Sequence, residues 1–291
     1  MMTPPAKILL ATDLSSLSDR AQDRAASLAK QHDCELIVLH VLESPNKNNS
    51  IRRIPFLPFL NYNKLAIEKA RRRLLDDMSA MHAHADIMIE EGEPHEIIMR
   101  VAEKRNCDLI VTGVARNEIL GQRTLGKTVA RLLGKSEISL LIVNERFRGP
   151  YSRIAVSADL SPASKKAIET AAAWFPGGAL AIVYPFTAPK SHAAENIDDY
   201  QEQMRQVAHR DLTNFISAID MTEEQRARLN KIIEHGSEAG VLKDFIRVSD
   251  TELAVIGSPL QGFLSYAVFG NHARRIISSL VCDVLVVRDR R

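Results

Sequence analysis

Apolar residues along this chain fall into two alternating rhythms. Short, nearly continuous runs rich in branched residues appear at Lys7–Asp13 (KILLATD), Glu35–Leu42 (ELIVLHVL), Asp86–Glu91 (DIMIEE), Asp108–Val114 (DLIVTGV) and Ser139–Asn144 (SLLIVN). Runs of this kind predict strands covered on both faces. Between them the apolar positions recur at helical spacing. Ala21, Ala25 and Leu28 follow a cap offered by Ser15, Ser16 or Ser18. Ile67, Ala70, Leu74, Met78 and Met81 draw a helix from about Lys64 to His84, and Pro94 opens another that runs to about Arg105. Strand and helix in strict alternation predict a parallel sheet with helices on both faces. Such a sheet binds ligands at the carboxyl ends of its strands, where the strand order reverses.

The whole cycle then repeats. Arg146–Ser152 (RFRGPYS) carries a Gly-Pro pair and reads as a linker. Arg153–Asp159, Ala179–Pro185, Lys231–His235, Glu252–Ser258 and Asp283–Arg288 predict five further strands. Helices are expected after Ser161-Pro162, from about Glu195 to Ile219, from Gly236 to about Val248, and before the last strand. Gly92, Gly113, Gly126 and Val143 recur 144 residues later as Gly236, Gly257, Gly270 and Val287, while Asp13 and Asp159 lie 146 apart. A period of this length signals a duplicated domain, not a solenoid. The expected fold is α/β: two tandem doubly wound, Rossmann-like parallel five-stranded sheets with helices on both faces. The expected units are residues 1–146 and 153–291, joined through 147–152.

Composition changes this picture little. The 291 residues suit two domains that each bury a core, and a net charge of +2 gives no argument for nucleic acid as a partner. No apolar run approaches the roughly 18–20 residues of a membrane span. Met1–Pro5 lacks a signal-peptide pattern, and Cys34, Cys107 and Cys282 are few, odd in number and widely spaced. A reducing cytoplasm is therefore the expected location, with the thiols small and partly buried. One stretch departs from the even charge. Lys47, Arg52, Arg53, Lys64, Lys69, Arg71, Arg72 and Arg73 face only Glu68 between Pro45 and Leu75. With Phe56 and Phe59 this stretch offers a membrane-surface or acyl-binding segment; the plainer reading is a solvated helix face, with Arg72 and Arg73 four residues before Asp76 and Asp77.

The chemistry concentrates in Asp108–Thr128, DLIVTGVARNEILGQRTLGKT. A strand leads into a loop with Gly113, Gly121 and Gly126, and a helix is expected from about Thr128. Glycines let a backbone approach a ligand, and unpaired N–H groups at a helix start attract anions. Glu252–His272 repeats the design. Gly121–Thr128 also fits the P-loop pattern G-x-x-x-x-G-K-[ST]. However, the strand ends several residues before Gly121, the second copy (AVFGN) has no lysine, and no paired strand in this half ends in an aspartate poised for magnesium, since strand five ends Asn144-Glu145. The match reads as accidental.

Taken with DLSSLSDRAQDRAASLAKQHDCELIVLHVLE and EEGEPHEIIMRVAEKRNCDLIVTG, the glycine loop closely resembles the universal stress protein family, and the resemblance covers nearly the whole chain twice. ATP-binding members carry G-x2-G-x9-G-[S/T], a strand-one aspartate, and a strand-two valine whose backbone meets adenine. The resemblance implies Asp13, Val41, Gly113 and Gly126 as nucleotide-binding residues in the first half, and Asp159, Pro185, Gly257 and Gly270 in the second. The pattern is degenerate here. Its second glycine is Arg116 in one half and Leu260 in the other, and its Ser/Thr position is Lys127, followed by Thr128, or Asn271. Arg116 and Lys127 are cations beside a helix start and favour an anion; Leu260 offers nothing polar, and Pro185 lacks an N–H.

Family members pair through their fifth strands, which implies Ser139–Asn144 against Asp283–Arg288. Three functional readings follow. The leading one is a cytoplasmic stress-response protein, a non-catalytic module that binds or senses ATP, with or without magnesium. The second is a scaffold for a non-nucleotide ligand, apolar or acyl, or for a protein, including a homodimer beyond the internal pairing. The third is a slow ATPase built on Lys127. No nucleophile elbow, H-E-x-x-H or Cys-x-x-Cys pair argues for other catalysis, and His82 and His84 fall on different helix faces.

Overall fold

The computed structural model describes residues 2–43, 62–114, 116–119, 122–187, 197–258 and 277–289. In chain order the first half contains β1 (Lys7–Thr12), α1 (Ser16–His32), β2 (Glu35–Leu42), α2 (Tyr62–Ala80), β3 (Ala85–Glu91), α3 (Pro94–Lys104), β4 (Leu109–Gly113), β5 (Arg116–Ile119), β6 (Gln122–Leu125), α4 (Lys127–Lys135) and β7 (Ser139–Val143). The second half contains β8 (Arg153–Ser157), α5 (Pro162–Trp174), β9 (Ala179–Phe186), α6 (Ile197–Ser217), α7 (Glu223–Ala227), β10 (Asn230–His235), α8 (Glu238–Val248), β11 (Leu253–Ser258) and β12 (Asp283–Arg288).

Ten of these strands form one sheet in the order β10-β9-β8-β11-β12-β7-β4-β1-β2-β3. Each half contributes five parallel strands in the doubly wound order 3-2-1-4-5. The halves meet where β7 and β12 pair antiparallel, Leu141 opposite Leu285, as the expected fifth-strand pairing requires. All five residues of β7 are buried, so an unpaired edge here would expose a wholly apolar strand. Apolar clusters cover both faces and run across the junction. One gathers residues of α1, α2, α5 and α6, and the other residues of α3, α4 and α8.

The corners repeat as closely as the strands. Ser15 caps α1 and Ser161 caps α5, each accepting from the N–H three residues on. Gly92 and Gly236 stand at φ +147° and +152°, and each donates its N–H to the end of the neighbouring strand, Leu42 O or Phe186 O, at 3.0 Å.

Several expectations need correction. α2 ends at Ala80, and His82 takes φ +51°, so His82 and His84 lie beyond the helix. α7 was not foreseen; Thr222 and Gln225 cap it reciprocally. The glycine loop does not run straight from strand to helix, because β5 and β6 pair as an antiparallel hairpin within it. The 147–152 segment packs against the core. Tyr151 is buried and donates its hydroxyl to Asp283 Oδ2 at 2.6 Å. The Arg24 guanidinium lies 3.8 Å from the Tyr151 ring centroid, 3.5 Å from Asp283 Oδ2, and donates to Gly149 O at 2.8 Å. Arg73 meets both Asp77, as a helix-face pair would, and Asp19, at 3.8 and 3.7 Å. The aromatic part of the basic stretch, 51–60, lies outside the described residues.

Candidate nucleotide site

Strand order reverses between β1 and β4, and again between β8 and β11. At the first reversal, Thr12 is level with His40 and Ala11 with Thr112, which brings Asp13, Val41 and Gly113 to the same end of three neighbouring strands. Asp13 follows β1 directly and turns the chain. Leu14 takes φ +60°, and Ser15 N donates to Asp13 Oδ1 at 2.9 Å. Ser18 Oγ donates to the same oxygen at 2.5 Å. Partial burial pushes the Asp13 carboxyl up, but the hydrogen bonds from Ser15 and Ser18 outweigh it and hold the group below its ordinary value.

Val41 presents its backbone to this corner. Along a strand, successive residues direct their N–H and C=O to opposite neighbours. Leu42 O accepts from Gly92 on the β3 side, so Val41 faces the β1 side: with Thr12 opposite His40 its N–H meets Thr12 O at the last step of the ladder, and its C=O extends past the end of β1. His40 fixes the level by donating from Nδ1 to Thr12 O at 2.8 Å.

Beyond Gly113, which pairs with Val143, comes the hairpin. Arg116 opens it opposite Leu125, and Gly126 then starts α4 as its N-cap without any side-chain cap. Lys127 and Thr128 form the first turn, which has no acidic residue. A helix start of this kind leaves N–H groups without intrahelical partners and favours an anion. The P-loop-like match, by contrast, places Gln122–Leu125 in a paired strand, so that backbone is not free to wrap phosphates. Gly121 lies outside the described residues.

The second reversal keeps the corner and changes its lining. Asp159 Oδ1 accepts from Ser161 N at 3.0 Å, and Leu160 again takes φ +60°. Pro185 occupies the place of Val41 in β9, opposite Glu234, and has a carbonyl but no N–H to offer. Ser157, two residues before Asp159, donates to Glu238 Oε1 at 2.8 Å, which brings a carboxylate into this crevice. Sequence reasoning missed Glu238, and only its place beside Gly236 at the start of α8 hinted at it.

Gly257 admits the backbone of α5: a Cβ there would lie 2.2 Å from Ala163 O and 2.8 Å from Ser164 N. Gly270, Asn271 and Leu260 lie outside the described residues.

The thiols are poor nucleophiles. Burial pushes Cys34 and Cys107 up to about 11 and Cys282 up to about 12. Among the described residues no group of three or more His, Cys, Asp or Glu is placed to hold a metal, and no helix is long and apolar enough to cross a membrane.

The profile of the universal stress protein family matches this chain twice, over residues 5–144 and 150–288. The chain belongs to the universal stress protein family. It is 29% identical over 144 residues to the universal stress protein YxiE of Bacillus subtilis, covering 47% of this chain and 97% of that protein. The universal stress protein MJ0531 of Methanocaldococcus jannaschii is 27% identical over 144 residues, covering 48% and 82%. A crystal structure of a universal stress protein from Archaeoglobus fulgidus superposes with a TM-score of 0.67 at 19% identity, covering 97% of this chain and 98% of that one. Relatives of half this length and a solved structure of full length both fit a tandem member.

Proposed function

We propose that this tandem universal stress protein binds an adenine nucleotide, ATP with or without magnesium, in its first half, and acts as a non-catalytic binding or sensing module of the stress response. The units we assign are 1–146 and 153–291, with the second serving chiefly as the structural partner of the first. The observation that carries the reading is the phosphate end of the first crevice. The Val41 carbonyl offers an acceptor to an adenine edge, beside an ionised Asp13 suited to ribose hydroxyls. An uncapped helix start at Gly126 to Thr128 supplies N–H groups and the Lys127 charge for phosphates. At the second reversal Pro185 lacks the N–H that ties strand two to strand one, and Glu238 brings a carboxylate to Ser157.

Calorimetric titration with magnesium ATP tests this directly. One site per chain is expected. Gly126→Val should abolish binding. Val41→Pro, which imposes the second half's condition on the first, should weaken it about tenfold, the worth of one lost hydrogen bond. Two sites per chain, or affinity unchanged in both variants, would overturn the assignment. Steady turnover of ATP that vanishes in Lys127→Ala would instead make the module a slow ATPase.

A further inference from the structure

The two crevices share one six-residue frame, DLSSLS over 13–18 and DLSPAS over 159–164. Each has an aspartate after the strand, a leucine at φ +60°, a capping serine, and a second serine three residues later. A hydroxyl has one proton to donate, and the two second serines direct it differently. Ser164 Oγ donates within its own helix turn, to Ser161 O at 3.0 Å. Ser18 Oγ leaves the turn and donates to Asp13 Oδ1 at 2.5 Å, while Asp13 N donates back to Ser18 Oγ at 3.4 Å. Asp13 Oδ1 thus accepts from both Ser18 Oγ and Ser15 N, whereas Asp159 Oδ1 accepts from Ser161 N.

We propose that Ser18 is the positioning residue of the first crevice: its hydroxyl clamps one oxygen of Asp13, so that the carboxylate faces the ligand in one orientation. Its ligand side rests on the nucleotide reading above; the clamp itself does not. Two donors on one oxygen fix the carboxylate's rotation before any ligand arrives, so less side-chain freedom is lost on binding. Ser18 is buried, and its neighbour in the frame, Ser15, lies 3.5 Å away through its own hydroxyl, so the clamp is held from both sides. The largest influences on Asp13 are its burial, the two serines and nearby backbone N–H groups. Asp159 stands in the same Asp-Leu-Ser-x-x-Ser frame, but there the second serine donates to Ser161 O.

The test uses the full chain. Carboxyl NMR titration of Asp13 and Asp159 without nucleotide is combined with calorimetric ATP binding. Ser18→Ala should raise the Asp13 titration and weaken ATP about tenfold, and Ser18→Thr, which restores a hydroxyl, should recover both. Ser164→Ala should leave the Asp159 titration and the affinity as they are. An Asp13 titration unmoved by Ser18→Ala in a protein of unchanged circular dichroism would overturn the clamp. So would an equal response of Asp159 to Ser164→Ala. A wild-type protein that binds no ATP but keeps the Ser18-dependent titration would retire the nucleotide reading and support the clamp.

Discussion

Leu14 and Leu160 both stand at φ +60°, Asn106 and Asp250 at +53° and +49°, and Gly92 and Gly236 at +147° and +152°. Backbone angles agree at these paired positions, yet the side chains lining the two crevices do not. Val41 is matched by Pro185, Ala11 by Ser157, which holds Glu238, and the Ser18 hydroxyl points where that of Ser164 does not. The difference follows from what each feature is tied to. Strained corners are fixed by the strands and helices that meet there, so they persist as long as the core does. Groups facing the crevice answer only to a ligand, so one copy is free to change once the other suffices.

The sharpest way to break this comparison is at the loop glycines. Gly257→Val places atoms against the backbone of α5 and should destabilise the second half by more than about 4 kcal/mol, or prevent its folding. Gly126→Val, at a helix cap with φ −57°, should leave thermal unfolding nearly unchanged and remove only binding. Equal melting temperatures for the two variants would show that Gly257 is a ligand position after all.

A second asymmetry lies at the junction. Asp283 is fully buried, and burial pushes its carboxyl up against the pull of Glu145 N, Tyr151 OH, Asn144 N and Arg24. Removing it in Asp283→Ala strands the buried Arg24 guanidinium and should cost about 3–5 kcal/mol. At the position equivalent to Arg24 stands Thr170, buried, with no hydrogen-bond partner for its hydroxyl among the described residues. Thr170→Val should be neutral, or stabilising by up to about 1 kcal/mol. Urea unfolding of both variants decides. A large loss in Thr170→Val would mean that the junction is polar on both sides of its pseudo-two-fold axis.

Where the halves agree, substitution should agree as well. Gly92→Ala and Gly236→Ala each force a side chain into a positive φ beside a flexible methyl, Ile97 Cδ1 at 3.1 Å or Val241 Cγ2 at 3.0 Å. Each should cost about 1–3 kcal/mol, and the two by similar amounts.

The strands were legible in the sequence because a doubly covered strand is a continuous apolar run, and β1, β2, β4 and β7 carry that run almost unbroken. The corners were legible because they recur. The β5–β6 hairpin was not, since RNEI and QRTL are mainly polar and carry no clear alternation. α7 left a signal that went unread, the Thr222–Gln225 capping pair. At the site, Asp13, Val41 and Gly113 could be found by resemblance and share one sheet end. The pairing of Ser157 with Glu238 spans 81 residues, and the approach of Ala163 in α5 to Gly257 spans 94. Contacts that long follow only from the register of the folded sheet, which no local pattern encodes.

The smallest expected effect separates Asp13 from Asp159 by acid. The folded Asp13 pKa lies below its unfolded value, near 3.9 for an aspartate. A depressed carboxyl pKa contributes stability that is fully present above the unfolded value and is lost as pH falls through the folded one. Asp13→Asn should therefore lower stability slightly at neutral pH, and the gap to wild type should close below about pH 4, as wild-type Asp13 is protonated in turn. The amide still accepts from Ser15 N but cannot reward Ser18 with a charge-assisted bond. Asp159→Asn is the parallel variant, at the corner where Ser161 N donates to the carboxylate. Denaturant unfolding between about pH 3 and 7 measures both differences. A pH-independent gap for Asp13→Asn would mean that its carboxylate is held by packing alone, and the two corners would then differ in lining but not in electrostatics.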